Sequence, residues 1–178
     1  MKKQRKIVLF LVKFFATYFI LFASYSYYLQ KTQVKEDFFS CAPITSTVAK
    51  QTVWVLSFFG YDAKYVQHDK EMSVKLLFNN QYTARVIEGC NSVSIIILFL
   101  SFIVAFPGAL KATILYGIIG SIAIYGINIL RIAFLTVMLY KFPNEQVFLH
   151  NIVFPAIIYG ATFLLWVVWV HKFSNYKK

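Results

Sequence analysis

The chain has 178 residues, of which 59% are hydrophobic, 19% aromatic and only 14% charged. Soluble domains carry about 25% charged and about 45–50% apolar residues, so a water-soluble globular enzyme, a disordered tail and a disulfide-rich secreted scaffold are excluded. The net charge of +11 does not point to nucleic acid, because its basic clusters (Lys2, Lys3, Arg5 and Lys6; His171-Lys172 and Lys177-Lys178) flank apolar runs, as cytoplasmic anchors that meet anionic headgroups do, and no basic-aromatic stripe offers a groove for a duplex.

A membrane-spanning helix needs about 20 apolar residues, since the hydrocarbon core is ~30 Å thick and each residue rises ~1.5 Å. The first such run, Ile7 to Leu29, is broken only by Lys13. It exceeds the length of a cleavable signal core, and no A-x-A site follows it, so it reads as a retained anchor over residues 1–29. Residues 30–89 form a polar extracytoplasmic segment holding six of the seven acids: Glu36, Asp37, Asp62, Asp69, Glu71 and Glu88. Within it, Pro43 to Phe59 is apolar but interrupted by Thr45, Ser46, Thr47, Lys50, Gln51 and Thr52, which favours an amphipathic helix on the membrane surface over a span. Two β-prone runs around Asn79-Asn80, from Ser73 to Ile87, predict a hairpin, because Asn tolerates positive φ.

Residues 90–178 read as a three-helix membrane core: Asn91 to Phe106, then a run from beyond Lys111 to Tyr140, then Ile152 to Val170. Four spans return the basic C-terminus to the side of the basic N-terminus, whereas a fifth would separate them against the positive-inside tendency. The expected fold is an all-α polytopic membrane protein with about four transmembrane helices, one folding unit, both termini cytoplasmic. Trp166 and Trp169 read as interface anchors, and Gly117, Gly120 and Gly126 as sites of close helix contact.

This topology brings three polar residues toward one depth. Cys90 stands where the extracytoplasmic segment enters the second span and His150 where the chain enters the fourth. Arg131 lies twenty residues after Lys111, a climb of roughly 30 Å at ~1.5 Å per residue. Ionisable groups at such depths are costly and are functional candidates by default. A thiol becomes a strong nucleophile as the thiolate, which a helix N-terminus or a nearby cation favours. His150 would take the thiol proton and return it to a leaving amine; Arg131, always protonated, would hold an oxyanion or a substrate carbonyl. Asn128, at i−3 on the same helical face, is placed to hydrogen-bond Arg131. Each residue also has an ordinary reading: Cys90 as a partner for Cys41 or a packing residue, Arg131 as a snorkelling cation, His150 as a helix cap. Glu88 either orients His150 or Arg131 or is a solvated acid. Two Cys and three His at scattered spacings match no zinc pattern, so no metal or organic cofactor is expected.

The run Glu88-Gly89-Cys90-Asn91-Ser92, followed by Asn128-Ile129-Leu130-Arg131 and then His150, resembles the signature of the exosortase/archaeosortase family, with the short length most similar to the exosortase F type. The resemblance covers about Arg85 to Phe163. It departs from the usual E-x-C-S-G in having Asn91-Ser92 for Ser-Gly, and from larger members in having fewer spans. The resemblance implies a membrane cysteine protease or transpeptidase of the bacterial inner membrane, with catalytic Cys90, Arg131 and His150 at the extracytoplasmic face and Asn91 beside the nucleophile. It further implies substrates that are exported proteins ending in a short motif, a hydrophobic helix and a basic cluster. The acyl group would pass to a nucleophile on a lipid or glycan, and no cofactor is needed. Two other classes stand against it: a non-enzymatic membrane assembly factor and a small transporter. A transporter needs a continuous polar stripe through two helices, which the almost wholly apolar second and fourth runs do not offer.

Overall fold

The computed structural model of the chain describes residues 2–35, 39–106 and 108–174; Glu36, Asp37, Pro107 and Lys177-Lys178 lie outside the described residues. Helix α1 (Lys2–Thr32) leads through two short strands, β1 (Val34–Lys35) and β2 (Phe39–Ser40), to α2 (Pro43–Phe58). Strands β3 (Ala63–Gln67), β4 (Ser73–Phe78) and β5 (Gln81–Ile87) follow, then a 3₁₀ turn at Glu88–Cys90 and helices α3 (Val93–Ala105) and α4 (Leu110–Lys141). After a 3₁₀ turn at Pro143–Glu145, α5 (Gln146–Phe148) runs through a π-helical stretch (Leu149–Val153) into α6 (Phe154–Val168), which ends in a second π turn, Trp169–Phe173.

Three segments are long and apolar enough to span a bilayer: Gln4–Thr32, Leu110–Lys141 and the continuous Pro143–Phe173. The chain is therefore an all-α multi-pass membrane protein carrying a small sheet. The second expected span is the short one, because α3 has 13 residues and rises only about 20 Å at ~1.5 Å each. Its start is delayed by Ser92, which sits in the left-handed region at φ 65°, and by Asn91, whose side-chain oxygen accepts the Val93 N–H at 3.1 Å. An Asx turn competes here with helix propagation.

Helix α4 is long in compensation. Its 32 residues extend about 48 Å, well beyond the ~30 Å hydrocarbon core. Two cores are threaded on it. Toward its N-terminal end Phe99, Ile103, Ile124, Ile158 and Trp169 join α3, α4 and α6. Its last three turns carry Ile132, Leu135 and Leu139 into a second core with Val48 and Ala49 of α2, Val74, Leu76, Ala84 and Val86 of the sheet, and Phe154.

The sheet in that second core has the order β3-β4-β5, antiparallel throughout. The expected hairpin is present: Asn79 and Asn80 both take positive φ, 50° and 61°, as a two-residue turn between right-twisted strands requires. Strand β3 has no counterpart in the sequence reading, since Tyr65 and Val66 on it are exposed and no alternation announces it. Helix α2 packs Thr45, Val48, Ala49, Thr52 and Leu56 inward, at helical spacing, against the sheet and α4, and leaves Trp54 and Phe58 exposed.

Two expectations about small and large residues are corrected. Trp169 is fully buried rather than an interface anchor, its ring 5.2 Å from Tyr116, and Trp166 stacks on Phe102 at 4.4 Å. Both indole N–H groups are buried without a partner, so packing places these rings. Gly117 and Gly120 do admit close helix contact, with Leu100 and Phe99, but Gly126 faces open space.

A Cβ at Gly120 would come 2.2 Å from the Phe99 ring, which lies in a fully buried position. We expect Gly120→Ala to destabilise the bundle by about 1–3 kcal/mol, as overpacking does. Gly126→Ala should instead be neutral or stabilising by up to about 1 kcal/mol through helix propensity. Thermal unfolding of the two variants in one detergent, compared with wild type, checks the contrast.

Candidate active site

The turn that follows β5 is fastened from three sides. Glu88 accepts the Ala42 N–H at 2.6 Å and the Thr45 hydroxyl, so its carboxylate ties the turn to the start of α2. Asn91 is 1% exposed; its amide donates to Tyr25 Oη of α1 at 2.7 Å and to Thr45 Oγ1 at 3.1 Å. Asn128 is equally buried, and its amide donates to the Cys90 carbonyl oxygen at 2.8 Å. A further strut, Tyr125 Oη to Gln51 Oε1 at 2.6 Å, joins α4 to α2 one turn below. Buried polar groups left without partners cost about 1–3 kcal/mol each, and this network leaves few.

The roles of three residues differ from the sequence expectation. Glu88 meets neither His150 nor Arg131, nor is it simply solvated, because residues 41–45 fold back over it. Asn128 grips the Cys90 backbone rather than Arg131. Asn91 is an anchor to α1 and α2. Thr45 and Tyr25, which hold this turn, were not singled out from the sequence; a Thr inside an apolar run and a Tyr among many give no signal of their own.

Within this frame the Cys90 side chain, partly exposed and unpaired, faces the Arg131 guanidinium, and Arg131 also feels the Tyr159 hydroxyl of α6. Arg131 has no carboxylate partner among the described residues, whose ion pairs all lie in or beside the sheet: Lys64–Asp62, Lys75–Asp69 and Arg85–Glu71. Its Nε is buried with no acceptor. An arginine inside a helix of membrane-spanning length, with its Nε donor to spare, a thiol in front and no acid partner among the described residues, is an ionisable group in a costly position.

His150 stands apart. It is exposed, on the π-helical stretch, and lines a cleft of about 430 Å³ with Tyr82, Thr83, Ala84 and Arg85 of β5, Leu135 and Leu139 of α4, and Gln146. That puts it one to two turns beyond Arg131, with its ring free of hydrogen bonds to the described residues. Its neighbours Leu149 and Phe154 are buried in the core against which Cys90 also packs. The fold thus brings Cys90 and Arg131 together and sets His150 in the adjoining cleft.

The second cysteine is different in kind. Cys41 is a free thiol, 3% exposed, and burial pushes its pKa up. It is not bonded to Cys90. No group of three or more His, Cys, Asp or Glu among the described residues is arranged to hold a metal ion.

The family described as "Transmembrane exosortase (Exosortase_EpsH)" matches residues 6–168 of this chain, and the chain belongs to that family. No curated protein and no solved structure matches it.

Two measurements follow from the geometry. A small thiol reagent at neutral pH should label the folded protein once, at Cys90, because Cys41 is buried and its raised pKa lowers its thiolate fraction. Mass spectrometry of the modified peptides reads this, and labelling of Cys41 at equal rate would contradict it. Replacing Asn128 by Leu leaves the Cys90 carbonyl without its donor and should lower stability by about 1–3 kcal/mol.

Proposed function

We propose that this transmembrane exosortase is a cysteine protease or transpeptidase that cuts exported proteins near a C-terminal sorting signal. The observation that carries the reading is the Cys90 thiol facing an Arg131 guanidinium that no acid among the described residues neutralises. A purely structural arginine at this depth would be expected to find a carboxylate or a set of carbonyls.

The chemistry is as follows. Cys90 Sγ attacks the scissile carbonyl carbon, and His150 accepts the thiol proton as the C–S bond forms. The oxyanion of the tetrahedral intermediate faces Arg131, whose free donors match charge that develops only there. Collapse breaks the C–N bond, His150 gives its proton to the leaving amine, and a thioester remains on Cys90. A hydroxyl or amine on a lipid or glycan, or water, then attacks the thioester and restores the thiol. His150 has to approach the sulfur for the first step; base–nucleophile pairs are commonly long before substrate binds. The site lies at the extracytoplasmic face of the inner membrane, with both termini in the cytoplasm, as the basic ends of the chain favour. The cut releases a C-terminal helix and basic cluster that stay in the bilayer.

The test uses a reporter made of a folded tag, the short motif of a candidate exported protein, an apolar helix and a Lys/Arg cluster, co-expressed with the chain. Cys90→Ala and Cys90→Ser should abolish its processing, a loss of roughly a thousandfold or more. Arg131→Lys keeps charge but not the planar fork and should cost about a hundredfold; His150→Gln should cost about 10²–10⁴. Processing that is normal in wild type and unchanged in both Cys90 variants would make the chain an assembly factor instead.

A further inference from the structure

Strand β5 is an edge strand, paired only with β4, and its outward backbone groups meet no other backbone partner among the described residues. Four consecutive residues of it, Tyr82 to Arg85, line the cleft that His150 borders. A groove over a sheet face would be lined by alternate residues only, so this groove runs along the strand's edge. A second cleft of about 270 Å³, lined also by Gln81, Tyr140 and Pro143, shares Tyr82, Thr83, Leu139 and Gln146 with the first. The two make one furrow between β5 and the α4–α5 corner.

The furrow has a direction. Gln81 lies at the level of Tyr140, and Cys90, just past the strand's end, is held at the level of Asn128. The twelve residues of α4 between those levels span about 18 Å at ~1.5 Å each, and Gln81 to Ile87 spans about 20 Å at ~3.3 Å each. Strand β5 therefore descends α4 toward the hydrocarbon and delivers its own chain, through Glu88-Gly89, to the candidate nucleophile.

We propose that this edge is the substrate-docking site: the extended segment of the substrate polypeptide just upstream of the scissile bond adds to the sheet as a fourth strand, parallel to β5. The inference rests on the enzyme reading above and names how that site takes its substrate. The polarity follows from the descent. A chain whose folded domain is outside and whose C-terminal helix is in the bilayer runs toward the membrane from N to C, as β5 does. Main-chain hydrogen bonds to an edge strand give affinity with little demand on side chains. The continuity of the edge with Cys90 selects a substrate segment over a second copy of the chain, which would need no nucleophile at the strand's end.

The test traps the complex as a disulfide in lipid nanodiscs, with the full chain carrying Cys90→Ala and the reporter above. Tyr82→Cys, Thr83→Cys or Ile87→Cys is placed on β5, and single cysteines are placed in turn along the reporter upstream of the cleaved bond. Parallel addition predicts that Ile87→Cys couples nearest the cleaved bond and Tyr82→Cys about five residues further upstream. Matched positions should exceed mismatched ones by about tenfold, since a disulfide needs Cα atoms ~4.4–6.8 Å apart. The same cysteine substitutions in a chain that keeps Cys90 show, by thermal unfolding in the same nanodiscs, that each variant folds. The reverse order of coupling, or none from folded variants while wild type still cuts the reporter, overturns the strand addition and leaves the enzyme reading standing. Processing that persists without Cys90 overturns the enzyme reading itself.

Discussion

A helix of 32 residues in a layer that accommodates about 20 has to project, and the rest of this protein is arranged on the projection of α4. Below the boundary its small and apolar residues meet α3 and α6, with Gly120 letting Phe99 in. Above it Ile132, Leu135 and Leu139 give the sheet and α2 a surface to bury against. A three-stranded sheet and one 16-residue helix hold too little core to stand alone. Here they borrow a side of α4, and the membrane anchors that side. Shortening α4 at its C-terminal end would thus remove the sheet's support.

The candidate site lies where the two cores meet, and that location resolves a conflict of environments. A thiol, a guanidinium with no acid partner among the described residues and two buried amides are costly in hydrocarbon, and the fold has to hold them in place. The short α3 is the means. Because it begins only at Val93, the turn carrying Cys90 sinks to the level of Asn128, and there Tyr25 of α1, Thr45 of α2 and Asn128 of α4 each supply a polar side chain to hold it. The left-handed Ser92 marks where the backbone reverses to start α3, a conformation that a glycine would adopt without strain. A serine at positive φ is strained, and its burial together with the Asn91 contacts keeps it there.

Depth arithmetic made part of this legible in the sequence. Counting from Lys111 puts Arg131 at the far boundary, and the helix pair around it brings Cys90 to the same level, since both follow from 1.5 Å per residue. The Asn79-Asn80 turn was readable for an equally local reason. What counting cannot supply is the partner of each polar group. Glu88 and Asn128 sit at the expected depth but point at a backbone N–H and a backbone carbonyl, which only the packing of α2 over the turn decides. Trp169 was misread because an aromatic near a basic tail looks alike whether the helix end is wet or folded against Gly108 and Tyr116. Strand β3 is not legible in the sequence, because its exposed residues carry no period. His150 was placed by topology at the depth of Arg131, and the early start of its helix, at Pro143 rather than near Ile152, lifts it into the cleft beside β5.

That lift separates two tasks that the linear order of Cys, Arg and His runs together. The Cys90 backbone is held by the buried Asn128 amide, and its thiol faces the Arg131 guanidinium with no substrate present. His150 rides on a π-helical stretch, a local irregularity that often marks functional positions, and it lines the same furrow as the free edge of β5. A substrate segment lying in that furrow would pass between the histidine and the strand before reaching the thiol. On the proposed reading, completion of the site would then depend on the segment being there: the thiol would lack its base in the empty protein, and cleavage would be confined to chains that arrive extended, from outside, at the right depth.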